Sequence, residues 1–159
     1  APLPPNEAAR LADLRSFGIL DTPYDPRFDR LARLAARVFG TSGAAITLLD
    51  ADRLWFKAHV GVDVRELPRE NGFCAWTILS DELCVAEDMQ ADERFADNPL
   101  VTGPPRIRFY AGEPLTLANG TCVGTLCLMD VRPRDLDAAR LAMLHDLAAL
   151  VSGELLRAA

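Results

Sequence analysis

An α+β sandwich with a central antiparallel sheet of five or six strands is the fold class this sequence predicts. Three observations lead there. Residues 107–117 and 121–129 are apolar runs joined by Asn119-Gly120, a pairing suited to a tight hairpin turn. A second pair of runs, 44–49 and 53–60, is joined by Asp50-Ala51-Asp52. Segments of helical periodicity lie at both ends of the chain, with no regular strand–helix–strand crossover between them. The terminal helices then cover one face, and short helices and loops cover the other.

Each element follows from local chemistry. Residues 1–5, APLPP, form a proline-rich lead-in. Asn6 is placed to cap a helix over 6–17, with Leu11, Leu14 and Phe17 on one side. Asp25-Pro26 gives an N-cap and a proline at the first helical position, opening a helix over 25–40 that Gly40 stops. Phe28, Leu31, Ala35, Val38 and Phe39 make its inner face, and Arg27, Arg30, Arg33 and Arg37 its solvated one.

In the strand over 53–60, Leu54, Phe56, Ala58 and Val60 alternate with Arg53, Trp55, Lys57 and His59. Residues 61–72 read as a loop, 73–79 as a short helix and 83–86 as a short strand. Asp92 caps the segment that Pro99 closes, and 100–105 is a linker. The last helix, 137–157, carries Leu141, Leu144, Ala148, Val151 and Leu155 at steps of three and four, with Met143, Leu147 and Leu150 beside them. That apolar surface is wider than one sheet contact needs, so a homodimer seam through those five residues is expected, against the alternative that all of it packs on the sheet within one chain.

Composition narrows the function. The chain has 159 residues and a formal net charge of -6, which argues against nucleic-acid binding. No apolar run approaches the ~20 residues of a membrane span, and the start is no secretory signal. A cytoplasmic protein with four reduced cysteines, Cys74, Cys84, Cys122 and Cys127, is expected. The cysteines have no paired Cys-x-x-Cys spacing, and His59 and His145 lie far apart, so no metal site is expected. On strand parity, Cys122 and Cys127 point to opposite faces.

The runs LRSFGILDTPYDPRFDRLARLAARVFG, ITLLDADRLWFKAHVG, PRENGFCAWTI, AEDMQADERFADNPLV and IRFYAGEPLTLANGTCVGTLCLMDVRPRDL resemble the GAF domain. The likeness is nearest the type found in bacterial sensor histidine kinases and diguanylate cyclases, and it places the domain over 6–157. It implies a GAF-like, profilin-like sheet, a ligand pocket between sheet and short helices, and terminal helices that often dimerise. It does not imply a ligand, since such domains bind many small molecules or none, and no cofactor is assigned.

The residues suited to line such a pocket are Trp55, Phe73, Cys74, Trp76, Asp88, Arg94, Arg108, Tyr110, Thr125 and Cys127, with Phe95 nearby. Aromatics with a few convergent polar groups suit a small-molecule cavity. Arg108 is a candidate grip for a carboxylate or phosphate, against pairing with Asp88; Asp88 is a candidate ligand acceptor, against capping the segment after it. The leading expectation is a non-catalytic sensory domain of a bacterial signalling protein, passing ligand occupancy through a terminal-helix dimer to an output kinase or cyclase. The alternatives are a thiol-dependent reductase resembling the free methionine-sulfoxide reductases of the family, and a ligand-free dimerisation module. The cysteine-bearing loops of those reductases find no match here. Neither does the Cys-His pair of bilin attachment, nor the asparagine-rich motif of the cyclic-nucleotide binders.

Overall fold

The computed structural model of the protein describes residues 1–158. Its centre is a six-stranded, wholly antiparallel sheet of order β3-β2-β1-β6-β5-β4. The strands are β1 (Gly43–Leu49), β2 (Arg53–Val60), β3 (Glu66–Pro68), β4 (Cys84–Ala86), β5 (Phe109–Thr116) and β6 (Cys122–Asp130). The two expected hairpins are β1–β2 and β5–β6. Antiparallel pairing of β1 with β6 joins them, so these two strands lie at the middle and are buried along their whole length. The edge strand β3 falls in the stretch read as loop.

The helices are α1 (Glu7–Ser16), α2 (Pro26–Phe39), α3 (Cys74–Thr77), α4 (Pro99–Thr102) and α5 (Ala138–Ala158). Long α1, α2 and α5 cover one face of the sheet. Their Leu14, Phe28, Ala35, Leu144, Val151 and Leu155 pack on Ile46, Leu48, Phe109, Leu126 and Leu128. The short α3 and α4 cover the other face, where Phe73, Phe95 and Val101 meet Leu49, Phe56, Tyr110 and Cys127. This is the expected sandwich, and the two cores lie back to back through the sheet.

Asp25 accepts from the Arg27 backbone N–H at 2.9 Å, Pro26 opens α2, and Gly40 closes it in the left-handed conformation, as read. Asn6 makes no such side-chain bond to α1. Instead α1 is clamped by Glu7, which accepts from Arg10 at 2.8 Å and from Arg69 at 2.6 Å. Burial raises the Glu7 pKa, but bonds from both arginines outweigh it and bring it to about 2. Arg10 is buried, with Nη1 on the Leu49 carbonyl.

Several local expectations are overturned by irregular backbone. A bulge in β2 sets Ile46 opposite Ala58 and Thr47 opposite Phe56, leaving Lys57 extra. The extra residue flips the alternation, so Leu54 and Phe56 face the α3 side while Trp55 and Ala58 face the long helices. A second bulge, between Leu115 and Thr116 opposite β6, sends Val123 to the helix side and Cys122 to the other. Cys122 and Cys127 therefore share one face, contrary to the parity reading. In the β5–β6 loop only Gly120 has positive φ, at 85°. The Gly120 N–H bonds to the Leu117 carbonyl and Leu117 N–H to Thr121, giving a three-residue loop with a left-handed glycine in place of the two-residue turn. Pro99 opens α4, capped by Asn98, and does not close the segment before it.

The stripe Leu144, Ala148, Val151 and Leu155 is consumed within the chain, packed on the sheet, and Leu141 is half-buried. Among the described residues, the large apolar side chains left at the surface of α5 are Met143, Leu150 and Leu156, and α2 leaves Leu34 and Val38, the last expected inside.

Candidate functional site

On the α3 face, the sheet and its cover enclose a cavity of about 370 Å³. Its floor is Thr47, Cys74, Tyr110 and Cys127; its walls include Leu54, Phe56, Leu67, Phe73, Leu100, Ile107 and Met129. The loop Gly61-Val62-Asp63-Val64 and the pair Pro104-Pro105 form the rim. The volume suits a small organic molecule. No arginine, lysine or histidine lines it among the described residues, and exposed Asp63 is its one ionisable rim group.

Polar chemistry is concentrated on the floor. Cys74 Sγ lies 3.1 Å from Thr125 Oγ1, 3.3 Å from Tyr110 Oη and 3.4 Å from Thr47 Oγ1. Thr47 and Thr125 hydroxyls bond each other at 2.7 Å, and Thr77 bonds Tyr110 at 2.7 Å. Each hydroxyl has one proton. One threonine donates to the other, which donates to sulfur; Thr77 donates to Tyr110, which donates to sulfur. Two O–H groups thus aim at Cys74, and Cys127 lines the same cavity floor. Burial opposes ionisation of Cys74, but the neighbouring Cys127 thiol and the hydroxyl array of Thr125, Thr47 and Tyr110 outweigh it and hold its pKa at about 6. The neighbouring Cys74 sulfur, with burial, pushes the Cys127 thiol well up, because a second adjacent charge is disfavoured.

Packing fixes this arrangement. Phe73 and Tyr110 rings meet edge-on with centroids 5.4 Å apart, and Phe73 and Phe95 likewise at 5.4 Å. The Tyr110 hydroxyl lies over Gly112, where an added Cβ would stand 2.1 Å from it. A side chain at 112 cannot coexist with Tyr110 in this position.

Of the residues singled out in the sequence, Phe73, Cys74, Tyr110 and Cys127 meet at the cavity, and Thr125 stands directly behind Cys74. The others are elsewhere. Trp55 lies on the opposite face, stacked 4.6 Å under the Arg65 guanidinium. Trp76 is half-buried on α3 and does not line the cavity. Arg108 pairs with Asp88 at 3.1 Å, and Asp88 also caps the turn after β4 by accepting from the Gln90 N–H. Arg94 is spent on Asp92 at 2.7 Å, the Cys84 sulfur at 3.2 Å and the Val85 carbonyl. Thr47, Leu54, Phe56 and Ile107 were missed. Leu54 and Phe56 were visible as one alternating pair, but their face was set by a bulge that leaves no mark in the sequence.

The GAF domain model matches residues 23–155. The chain belongs to the GAF domain family. A cyclic di-GMP phosphodiesterase of Pseudomonas aeruginosa is 43% identical over 151 residues, covering 94% of this chain and 26% of that protein. The chain therefore spans about a quarter of that relative's length. Among solved structures, the GAF domain of an Acinetobacter phosphoenolpyruvate-protein phosphotransferase is 21% identical with a TM-score of 0.67, covering 94% of each chain. A free methionine-R-sulfoxide reductase of Neisseria meningitidis is 18% identical with a TM-score of 0.67, covering 93% of this chain and 86% of the other. Both likenesses are of fold. No helix among the described residues is long and apolar enough to cross a membrane.

Proposed function

We propose that this GAF domain is a non-catalytic sensory module of a cytoplasmic bacterial signalling protein, and that the cavity under α3 and α4 is its receptor site. One observation carries the reading: a cavity of about 370 Å³ with apolar walls and a polar floor, built by the sheet and its short-helix cover. The lining favours an uncharged or weakly cationic small molecule, because no cation is present to hold a carboxylate or phosphate. The Pseudomonas aeruginosa relative, a named phosphodiesterase, supports an output domain acting on a nucleotide second messenger; a kinase or cyclase is the other candidate.

Transmission would run through self-association of the long helices. Arg134 donates to the Phe39 and Gly40 carbonyls at 2.8 Å, and Arg27 lies 3.6 Å from Glu154. Opposite ends of α2 and α5 are thereby tied, so the two run antiparallel. Their surface apolar residues, Leu34 and Val38 with Met143 and Leu150, are the proposed homodimer face. A ligand shifts that equilibrium only by its difference in affinity for the two states. The test is a small-molecule panel read by thermal unfolding, each hit repeated in sedimentation equilibrium. A ligand that stabilises the domain and changes the dimer constant supports the scheme; one that stabilises it without any such change refutes transmission by this route.

A second reading, a thiol-dependent reductase of a small sulfoxide, is favoured by the presence of both Cys74 and Cys127 in the cavity lining. Turnover of methionine sulfoxide with a dithiol reductant, lost in Cys74→Ser, would establish it.

A further inference from the structure

We propose that Cys74 and Cys127 form an oxidisable pair, converted to a disulfide by an organic hydroperoxide held in the apolar cavity. The inference rests on the reading of that cavity as a small-molecule site, and adds the chemistry of its floor. Both thiols are 2% exposed, and both line the cavity, so the cavity is their route to any reagent. The hydroxyl array around Cys74 is the geometry of a site that stabilises negative charge on sulfur: two O–H groups converge on it at 3.1–3.4 Å. Thiolate is the nucleophilic form. Cys127 lies two residues beyond Thr125 on the same face of β6 and lines the same cavity as Cys74, so it is the thiol placed to close the bond.

The chemistry balances without a metal. The Cys74 thiolate attacks the outer peroxide oxygen; an S–O bond forms, the O–O bond breaks, and the alkoxide leaves, taking a proton from water at the rim. The Cys127 thiol then attacks the sulfenic sulfur, expelling water and making the S–S bond. Two thiols lose two electrons and two protons, and the hydroperoxide becomes an alcohol and water. The walls, Leu54, Phe56, Leu67 and Ile107, enrich a peroxide with a hydrocarbon body over hydrogen peroxide, which has none to bury. The other two cysteines serve as internal controls. Cys84 and Cys122 are buried off the cavity, and Cys84 has its pKa raised by desolvation.

The experiment treats the reduced protein with cumene hydroperoxide or hydrogen peroxide and maps the products by peptide mass spectrometry. The unreactive 2-phenylpropan-2-ol serves as a binding probe in thermal unfolding. The expected result is a Cys74–Cys127 disulfide from one equivalent of oxidant, formed at least tenfold faster with cumene hydroperoxide. Cys127→Ser should stop at a Cys74 sulfenic acid trapped by dimedone, and Cys84→Ser should change nothing. Equal rates with the two peroxides, earlier oxidation of Cys84 or Cys122, or faster oxidation by methionine sulfoxide overturns the proposal. Stabilisation by the alcohol with Cys74 still reduced overturns the redox step and leaves the receptor cavity standing. No stabilisation together with unselective oxidation overturns both.

Discussion

Leu144 and Leu150 sit less than two turns apart on α5 and should behave as opposites. Leu144 is 0% exposed against the sheet, whereas Leu150 is 57% exposed. Leu144→Ala removes a packed side chain and leaves a cavity that the rigid sheet cannot fill, at a cost of about 2–5 kcal/mol. For a domain of this size, a loss near 3 kcal/mol lowers Tm by about 6–12 °C. Leu150→Asp empties no core and should change monomer stability by no more than about 0.5 kcal/mol. Its effect should fall on self-association. Stability of a dimer depends on protein concentration, so wild-type Tm should rise with concentration, and Leu150→Asp should flatten that dependence. The assay is urea and thermal unfolding of both variants over a hundredfold range of concentration, with sedimentation equilibrium alongside. A Leu144→Ala domain that keeps its monomer stability but loses association would refute the assignment of inner and outer faces.

Gly112→Ala should displace Tyr110, because the new Cβ would lie 2.1 Å from its hydroxyl and 2.8 Å from Thr77 Oγ1. A loss of about 1–3 kcal/mol in urea unfolding, with a rise in the Cys74 pKa, is the expected outcome. Tyr110→Phe removes one of two O–H groups on the Cys74 sulfur. Thiolate absorbance at about 240 nm, which in the wild type should grow through a pKa of about 6, should then appear only at higher pH. His145 on α5 bonds the buried Glu113 at 2.7 Å, and that bond and charge raise the His145 pKa. A raised folded-state pKa means the stabilisation is complete below the unfolded value near 6.5 and fades as pH rises through the folded value. His145 is largely exposed, so the effect is small. Unfolding midpoints compared between acid and alkaline buffer should converge in Glu113→Gln.

Long, periodic and capped elements were legible. The α2 helix announced itself through Asp25-Pro26 and Gly40, and both hairpins through apolar runs flanking a turn. What escaped were single-residue irregularities. The extra Lys57 turned Trp55 away from the cavity and Phe56 into it, and the bulge opposite Thr116 brought Cys122 to the same side as Cys127. Parity along a strand is a reliable guide only until a residue is inserted, and nothing in the residues themselves reports the insertion. The site was legible for residues whose chemistry has one use when buried, such as Cys74 and Tyr110. For Asp88 and Arg108 the residues left ligand contact and mutual pairing both open, and the structure pairs them; Arg94, offered only as a ligand contact, is held by Asp92 within its own segment. The α5 stripe illustrates a third cause. A helix pattern shows how wide an apolar face is, but not which part of it meets the sheet and α2 in the folded chain.

The receptor reading turns on whether the space above Cys74 and Tyr110 takes a guest. Native mass spectrometry of the domain isolated from its own cells, beside a Val64→Trp variant that fills the rim, addresses this directly. A co-purified small molecule in the wild type that is absent from a folded Val64→Trp protein is the predicted result. A molecule retained equally by the filled variant, or a cavity that admits no ligand in a broad panel, would contradict it.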